Sequence, residues 1–329
     1  MTAETVAQQD AITYRPSARS EELSSHSVAE SIEDPTDAVS RARRITFRIV
    51  AWVTTLFLLV MFPFSLLEIV MMWLPDETLL TLISDLTESD LVHRTHFLSV
   101  GIVMWALLLG VAVQLRRPER RAAAMLHSVV IVVAGTVLFG LTGTLDEFLV
   151  EDVILLVPVV LLALLHPRSR ELFGRQELEP MMAALAAVAV LPWSVFAVDQ
   201  IRLQITDSST HAELEHWAAA ALVAIVIVTF GFIGSTALPG WKLTAWIAAA
   251  ASVIYGLNSL SFPAPASALS AFWAAAALLW GVAFAVTIVR RGRRDRAAIG
   301  RDGSFGAASH RYAAHPEASD GGVARTVDT

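Results

Sequence analysis

Residues 97–140 read FLSVGIVMWALLLGVAVQLRRPERRAAAMLHSVVIVVAGTVLFG, two apolar runs on either side of the turn Arg116-Arg117-Pro118-Glu119-Arg120-Arg121. Each run approaches the roughly 20 residues a helix needs to cross a hydrocarbon core about 30 Å thick. The turn between them is short and rich in arginine, and arginine concentrates on the cytoplasmic side of a membrane. The stretch therefore reads as a helical hairpin that dips inward and returns.

The same pattern extends in both directions. Apolar stretches fall near 47–74, 97–115, 124–143, 150–166, 180–200, 217–238, 242–261 and 270–290, about eight spans by the length a bilayer requires. The chain is 55% hydrophobic and only 17% charged, with a mean hydropathy of +0.58, which is more apolar surface than a soluble domain of 329 residues buries. The expected fold class is all-α, a polytopic membrane helix bundle with lipid as its principal partner. Arg41, Arg43, Arg44 and Arg48 precede the first span, Arg168, Arg170 and Arg175 follow the fourth, and Arg290, Arg291, Arg293, Arg294 and Arg296 follow the last. This asymmetry places both termini in the cytoplasm of a multi-pass cell-membrane protein, with Arg94 and Arg202 as single outer exceptions.

Composition also excludes several functions. The absence of cysteine removes disulfides and thiolate metal sites, so any metal must be held by His, Asp or Glu. A net charge of −7, with the basic residues mostly confined to membrane edges, is not the footprint of a nucleic-acid binder. No P-loop, Gly-x-Ser-x-Gly elbow or His-Glu-x-x-His is present, so no enzyme signature is recognised. Residues 1–44 are acidic and polar and read as a disordered cytoplasmic tail, and residues 297–329 read as a second one.

Short motifs recur in order. Met61-Phe62-Pro63-Phe64-Ser65 in the first span corresponds to Val190-Leu191-Pro192-Trp193-Ser194 in the fifth. His96-Phe97 opens the second span as His216-Trp217 opens the sixth, and Phe139-Gly140-Leu141 matches Tyr255-Gly256-Leu257. We read two fused four-helix repeats, 45–175 and 176–296, each with an even number of spans and hence related by an axis along the membrane normal. That axis brings His96 and His216 to the same depth.

The candidate site follows from this geometry. Asp90, His93 and His96 recur at intervals of three, as do Glu213 and His216, with His211 five residues earlier. Carboxylates are favoured at helix N-termini by the dipole and need no function there, whereas a cationic imidazole is disfavoured. Asp146, Glu147, Glu151, Asp152, Asp199, Glu68 and Asn258 add polar groups to the same outer mouth. Histidine and carboxylate without cysteine suit a divalent metal ion, and two imidazoles across a cleft suit haem. The candidate ligands are His93, His96, His211 and His216, with Asp90 and Glu213 in support. A proton relay and a purely interfacial role use the same groups. The alternative function is a small permease, or an accessory subunit docked to a membrane partner or a second copy, with no cofactor. His127 and His166 are expected to snorkel at inner span ends.

Asp90-Leu-Val-His93-Arg94 resembles the Glu-x-x-His-Arg signature of haem A synthases, and Glu213-Leu-Glu-His216 is similar without the arginine. That resemblance implies eight spans in two four-helix halves and histidine ligation of haem. The chain departs from the pattern in lacking the family's outer cysteine pair and in having no histidine within the core of its fourth or eighth span.

Overall fold

The computed structural model describes residues 35–61, 93–142 and 145–312, with isolated positions between 67 and 81. Among the described residues the regular structure is helical, apart from one isolated β-bridge between Leu178 and Thr236. Eight long helices follow in order: α1 Pro35–Met61, α2 His93–Ala112, α3 Ala122–Thr142, α4 Leu145–Leu165, α5 Pro180–Thr206, α6 His216–Ser235, α7 Trp241–Ser261 and α8 Ala271–Tyr312. Seven of them, all but α4, are long and apolar enough to cross a membrane. In α4 the described side chains supply a shorter apolar stretch, Ile154–Leu165. The protein is thus an all-helical, multi-pass membrane protein.

By contact the chain divides into two compact units, Met1–Thr46 and Phe47–Thr329. Helical backbone enters both segments read as tails. It begins at Pro35, where a missing N–H and a fixed φ suit the first helical position, and it continues to Tyr312. Residues 1–34 and 313–329, Pro63, Glu68 and Asp90 lie outside the described residues.

Within the second unit, α6 is the central helix. It touches α2, α3, α5 and α7 and is buried along nearly its whole length. Its run Ala218-Ala219-Ala220-Ala221 makes this possible, because small side chains let neighbouring backbones close where lipid supplies no hydrophobic force between helices. The outward faces are the reverse: Val188, Leu191 and Val198 on α5 and Phe272 and Leu279 on α8 are exposed, the surface of a protein whose solvent is lipid.

Glycines permit close helix crossings. A Cβ on Gly110 of α2 would collide with His127 Nε2 and Ser128 Oγ of α3, and one on Gly234 of α6 would lie 2.7 Å from Ala245 Cβ of α7. The two basic-side turns also meet. Ala123 N donates to Pro239 O at 3.0 Å, and Gly240, with φ +85°, leaves no space for a side chain against Arg120 O. Arg291 closes this end: its guanidinium donates to Gly234 O at 3.1 Å and Thr236 O at 2.8 Å while lying 3.8 Å over the Trp241 ring. The last carbonyls of α6 have no helical partner, and a cation there satisfies both them and the dipole.

Candidate functional site

The site is built around the turn from α5 to α6. Asp207 ends α5 and gathers three donors: Ser209 N at 3.0 Å, Ser209 Oγ at 2.7 Å and Trp217 Nε1 at 3.0 Å. The Ser209 bonds, then the Trp217 bond, hold its carboxyl below the usual aspartate range, with nearby His211 acting in the same direction. Gln204, buried one turn earlier, bonds in both directions. Its Nε2 donates to Ala212 O at 2.6 Å and its Oε1 accepts from Ala218 N at 3.1 Å. Ala218 N is one of the orphan donors at the start of α6, and the N-cap residue Glu215 makes no side-chain capping bond. A glutamine of the preceding helix therefore caps α6.

Glu215 has φ 59°, the left-handed region that non-glycine residues seldom occupy. The chain consequently forms a short helical turn, Thr210–Glu213, breaks, and starts α6 at His216. This differs from the continuous helix that placed Glu213 and His216 on one face: Glu213 is exposed, and the buried carboxylate beside His216 belongs to Glu215.

Three imidazoles meet here. The rings of His96 and His216 lie with centroids 4.0 Å apart and tilted by 47°. Those of His211 and His216 are 5.2 Å apart, with Nδ1 to Nδ1 at 3.1 Å, so one nitrogen donates to the other. His216 is buried, and His96 and His211 are half-buried. Asp90 and the side chains of His93, Asp146, Glu147, Glu151 and Asp152 lie outside the described residues. Among the described residues, no group of three or more His, Cys, Asp or Glu is arranged to hold a metal ion.

A polar seam runs from this cluster into the bundle. Thr95, next to His96, accepts from Asn258 Nδ2 at 3.4 Å, and the Asn258 Oδ1 is buried with no hydrogen-bond partner. One turn further along each helix lie Ser99 and Tyr255, whose hydroxyl donates to Ser267 O at 2.9 Å.

His127 and His166 are not snorkelling. His127 is fully buried, donates from Nε2 to Ala106 O at 3.1 Å, and accepts at Nδ1 from the Thr244 hydroxyl at 2.9 Å, while its ring stacks on Phe230. The notch left by Gly110 admits it. His166 donates from Nε2 to Pro118 O at 3.1 Å and accepts at Nδ1 from Arg168 N at 3.1 Å, tying the end of α4 to the α2–α3 turn. Arg94, an outer exception to the arginine asymmetry, is buried, with its guanidinium on Leu74 O at 2.8 Å and 4.8 Å over the Phe262 ring. It serves the fold rather than the topology.

No protein-family model matches the chain, no curated protein matches it, and no solved structure matches it.

Proposed function

We propose that this is a cell-membrane protein of two fused four-helix repeats, with both termini cytoplasmic, whose outer mouth binds a divalent metal ion through His96, His211 and His216. Asp90 and His93 are near enough in sequence to join the ligand set. The observation that carries this reading is the meeting of the three imidazoles: His96 lies in the first turn of α2, His216 begins α6, and their rings touch. Two Nδ1 atoms 3.1 Å apart are already close to the roughly 3.3 Å edge of a tetrahedral site with ligands at about 2.0–2.1 Å, so an ion would take the place of the shared proton once the His96 ring turns a nitrogen toward it. Rings in contact favour an ion over a haem plane, which needs the imidazoles parted. Asp207, held ionised by its three donors, supplies the nearby negative charge that such a site uses to orient its ligands.

The repeat is supported by two further features. In each half a glycine of the second helix seats the third helix, Gly110 against Ser128 and Gly234 against Ala245. The second and third helices of the two halves also pack on one another, α2 and α3 against α6 and α7.

The test is metal retention by the detergent-purified full chain, followed by Co²⁺ titration with visible absorption. Wild type is expected to give a tetrahedral Co²⁺ band that His96→Ala and His216→Ala each abolish without loss of the folded, monodisperse protein. Colourless titrations and a metal-free wild type return the cluster to a structural role at the interface and favour the permease or accessory-subunit reading. Orientation is tested separately with Ser208→Cys in a chain that has no native thiol. A membrane-impermeant maleimide should label it in intact cells, and labelling only after lysis would reverse the topology.

A further inference from the structure

Away from the histidines, α5 and α8 diverge and leave a cavity of about 980 Å³ open to the side of the bundle. Its lower part is apolar, lined by Val188, Leu191 and Pro192 of α5 and Ala276 and Trp280 of α8. The indole Nε1 of Trp280 donates to Leu185 O at 2.7 Å and closes the floor between the two helices. The back wall is aromatic: Trp193 and Phe196 line it and pack edge to face on each other and on the buried Tyr255, with centroids 5.7–5.9 Å apart. Pro192 has no N–H to give the carbonyl of Val188, so the wall also presents a backbone acceptor that the helix does not use.

The upper part is polar and chemically specific. Asp199, Gln200, Arg202, Thr206 and Ser270 line it. Gln200 is 2% exposed, and its amide is oriented by the bond from Nε2 to Ala266 O at 3.3 Å. That orientation leaves Oε1 buried, without a hydrogen-bond partner, in a residue that lines the cavity. A buried acceptor with nothing to accept carries a cost of about 1–3 kcal/mol, which a ligand donor removes. Arg202 and Asp199 are exposed at the same rim.

We infer that this groove binds a glycerophospholipid with a hydroxylated headgroup. The gradient from apolar floor to polar rim is that of one amphiphile lying along α5, its acyl chain between Pro192 and Trp280. Arg202 meets the phosphate, since a guanidinium binds its oxygens through charge-assisted bonds. A headgroup hydroxyl donates to Gln200 Oε1. An ammonium head is disfavoured at that atom, because a neutral buried amide repays little of the desolvation of a cation, whereas a hydroxyl carries no charge to desolvate.

The experiment is native mass spectrometry of the full-length protein with phosphatidylglycerol, phosphatidylethanolamine and phosphatidylcholine of identical acyl chains. Wild type is expected to retain phosphatidylglycerol in preference to the other two. Gln200→Met should weaken that retention about tenfold while leaving phosphatidylcholine unaffected, whereas Arg202→Gln, a change on an exposed side chain, should weaken retention of all three lipids, since each carries the phosphate. Ala276→Phe, which fills the floor, should weaken retention of all three. Equal retention of the three lipids by wild type, or Arg202→Gln behaving as wild type, overturns the inference. A preference for phosphatidylethanolamine overturns the hydroxyl assignment. If Gln200→Met does not fold, the Arg202→Gln and lipid-selectivity arms still decide.

Discussion

Replacing Gln204 with methionine keeps the length and apolar volume of the side chain and removes both of its hydrogen bonds. The two partners, Ala212 O at 2.6 Å and Ala218 N at 3.1 Å, are backbone groups of the buried turn that carries His211 and His216. Ala218 N has no helical replacement, being an orphan donor at the start of α6 where Glu215 makes no side-chain cap, whereas Ala212 O also accepts from Glu215 N at 3.0 Å. Leaving a buried backbone group unsatisfied costs about 1–3 kcal/mol, and here that group is Ala218 N, so the substitution is expected to cost about 1–3 kcal/mol. Reversible unfolding in mixed detergent micelles measures this directly. Ile205→Ala, next in sequence but largely exposed to lipid, is the control and should change stability by about 0.5 kcal/mol or less. A loss below about 1 kcal/mol for Gln204→Met, or one no larger than the control's, would refute the claim that α6 is capped from α5.

Two further outcomes follow from packing and titration. Gly234→Ala places a methyl 2.7 Å from Ala245 Cβ and 2.9 Å from its Cα, and the resulting overpacking should cost about 1–3 kcal/mol in the same unfolding assay, whereas Gly135→Ala should be mild because its nearest contacts are side-chain atoms at 3.7 Å. Burial, followed by the positive charge of Arg168 and outweighing the raising effects of the Pro118 carbonyl and nearby acids, holds the His166 imidazole below its ordinary value. Its native form is neutral, so the unfolded chain takes up the proton first. This contribution to stability is present above the ordinary histidine range and is lost as pH falls through it. Thermal unfolding in detergent at decreasing pH should show a decline that His166→Asn flattens, and an unchanged slope in that variant would exclude the mechanism.

Much of the architecture is legible because membrane chains carry two simple signals, run length and arginine placement. The hairpin of α2 and α3 is stated by residues 97–140 and appears with Arg116–Arg121 as its turn. The ends are less legible where polar residues remain helical for tertiary reasons. α5 was expected to end near 200 and reaches Thr206, because Gln200 and Gln204 face protein rather than water. The approach of His96 to His216 could be read from the repeated motif at two helix starts. The role of Glu213 could not, since spacing arguments assume an unbroken helix and the left-handed Glu215 interrupts it. The burial of His127 was equally hidden, because it depends on a missing Cβ at Gly110 and on an acceptor and a hydroxyl from two other helices.

The contact between the two basic-side turns bears on how this bundle moves. Gly240 sits against Arg120 with no room for a side chain, Ala123 donates to Pro239, and Arg291 fastens the end of α6 above Trp241. A pair of levers joined so tightly at one end has its freedom at the other. Any rocking of the α2–α3 hairpin against the α6–α7 hairpin would pivot about these joined turns and have its greatest amplitude where His96 faces His216. The proposed ligand at the histidines would then act as a clasp on the free end of the bundle.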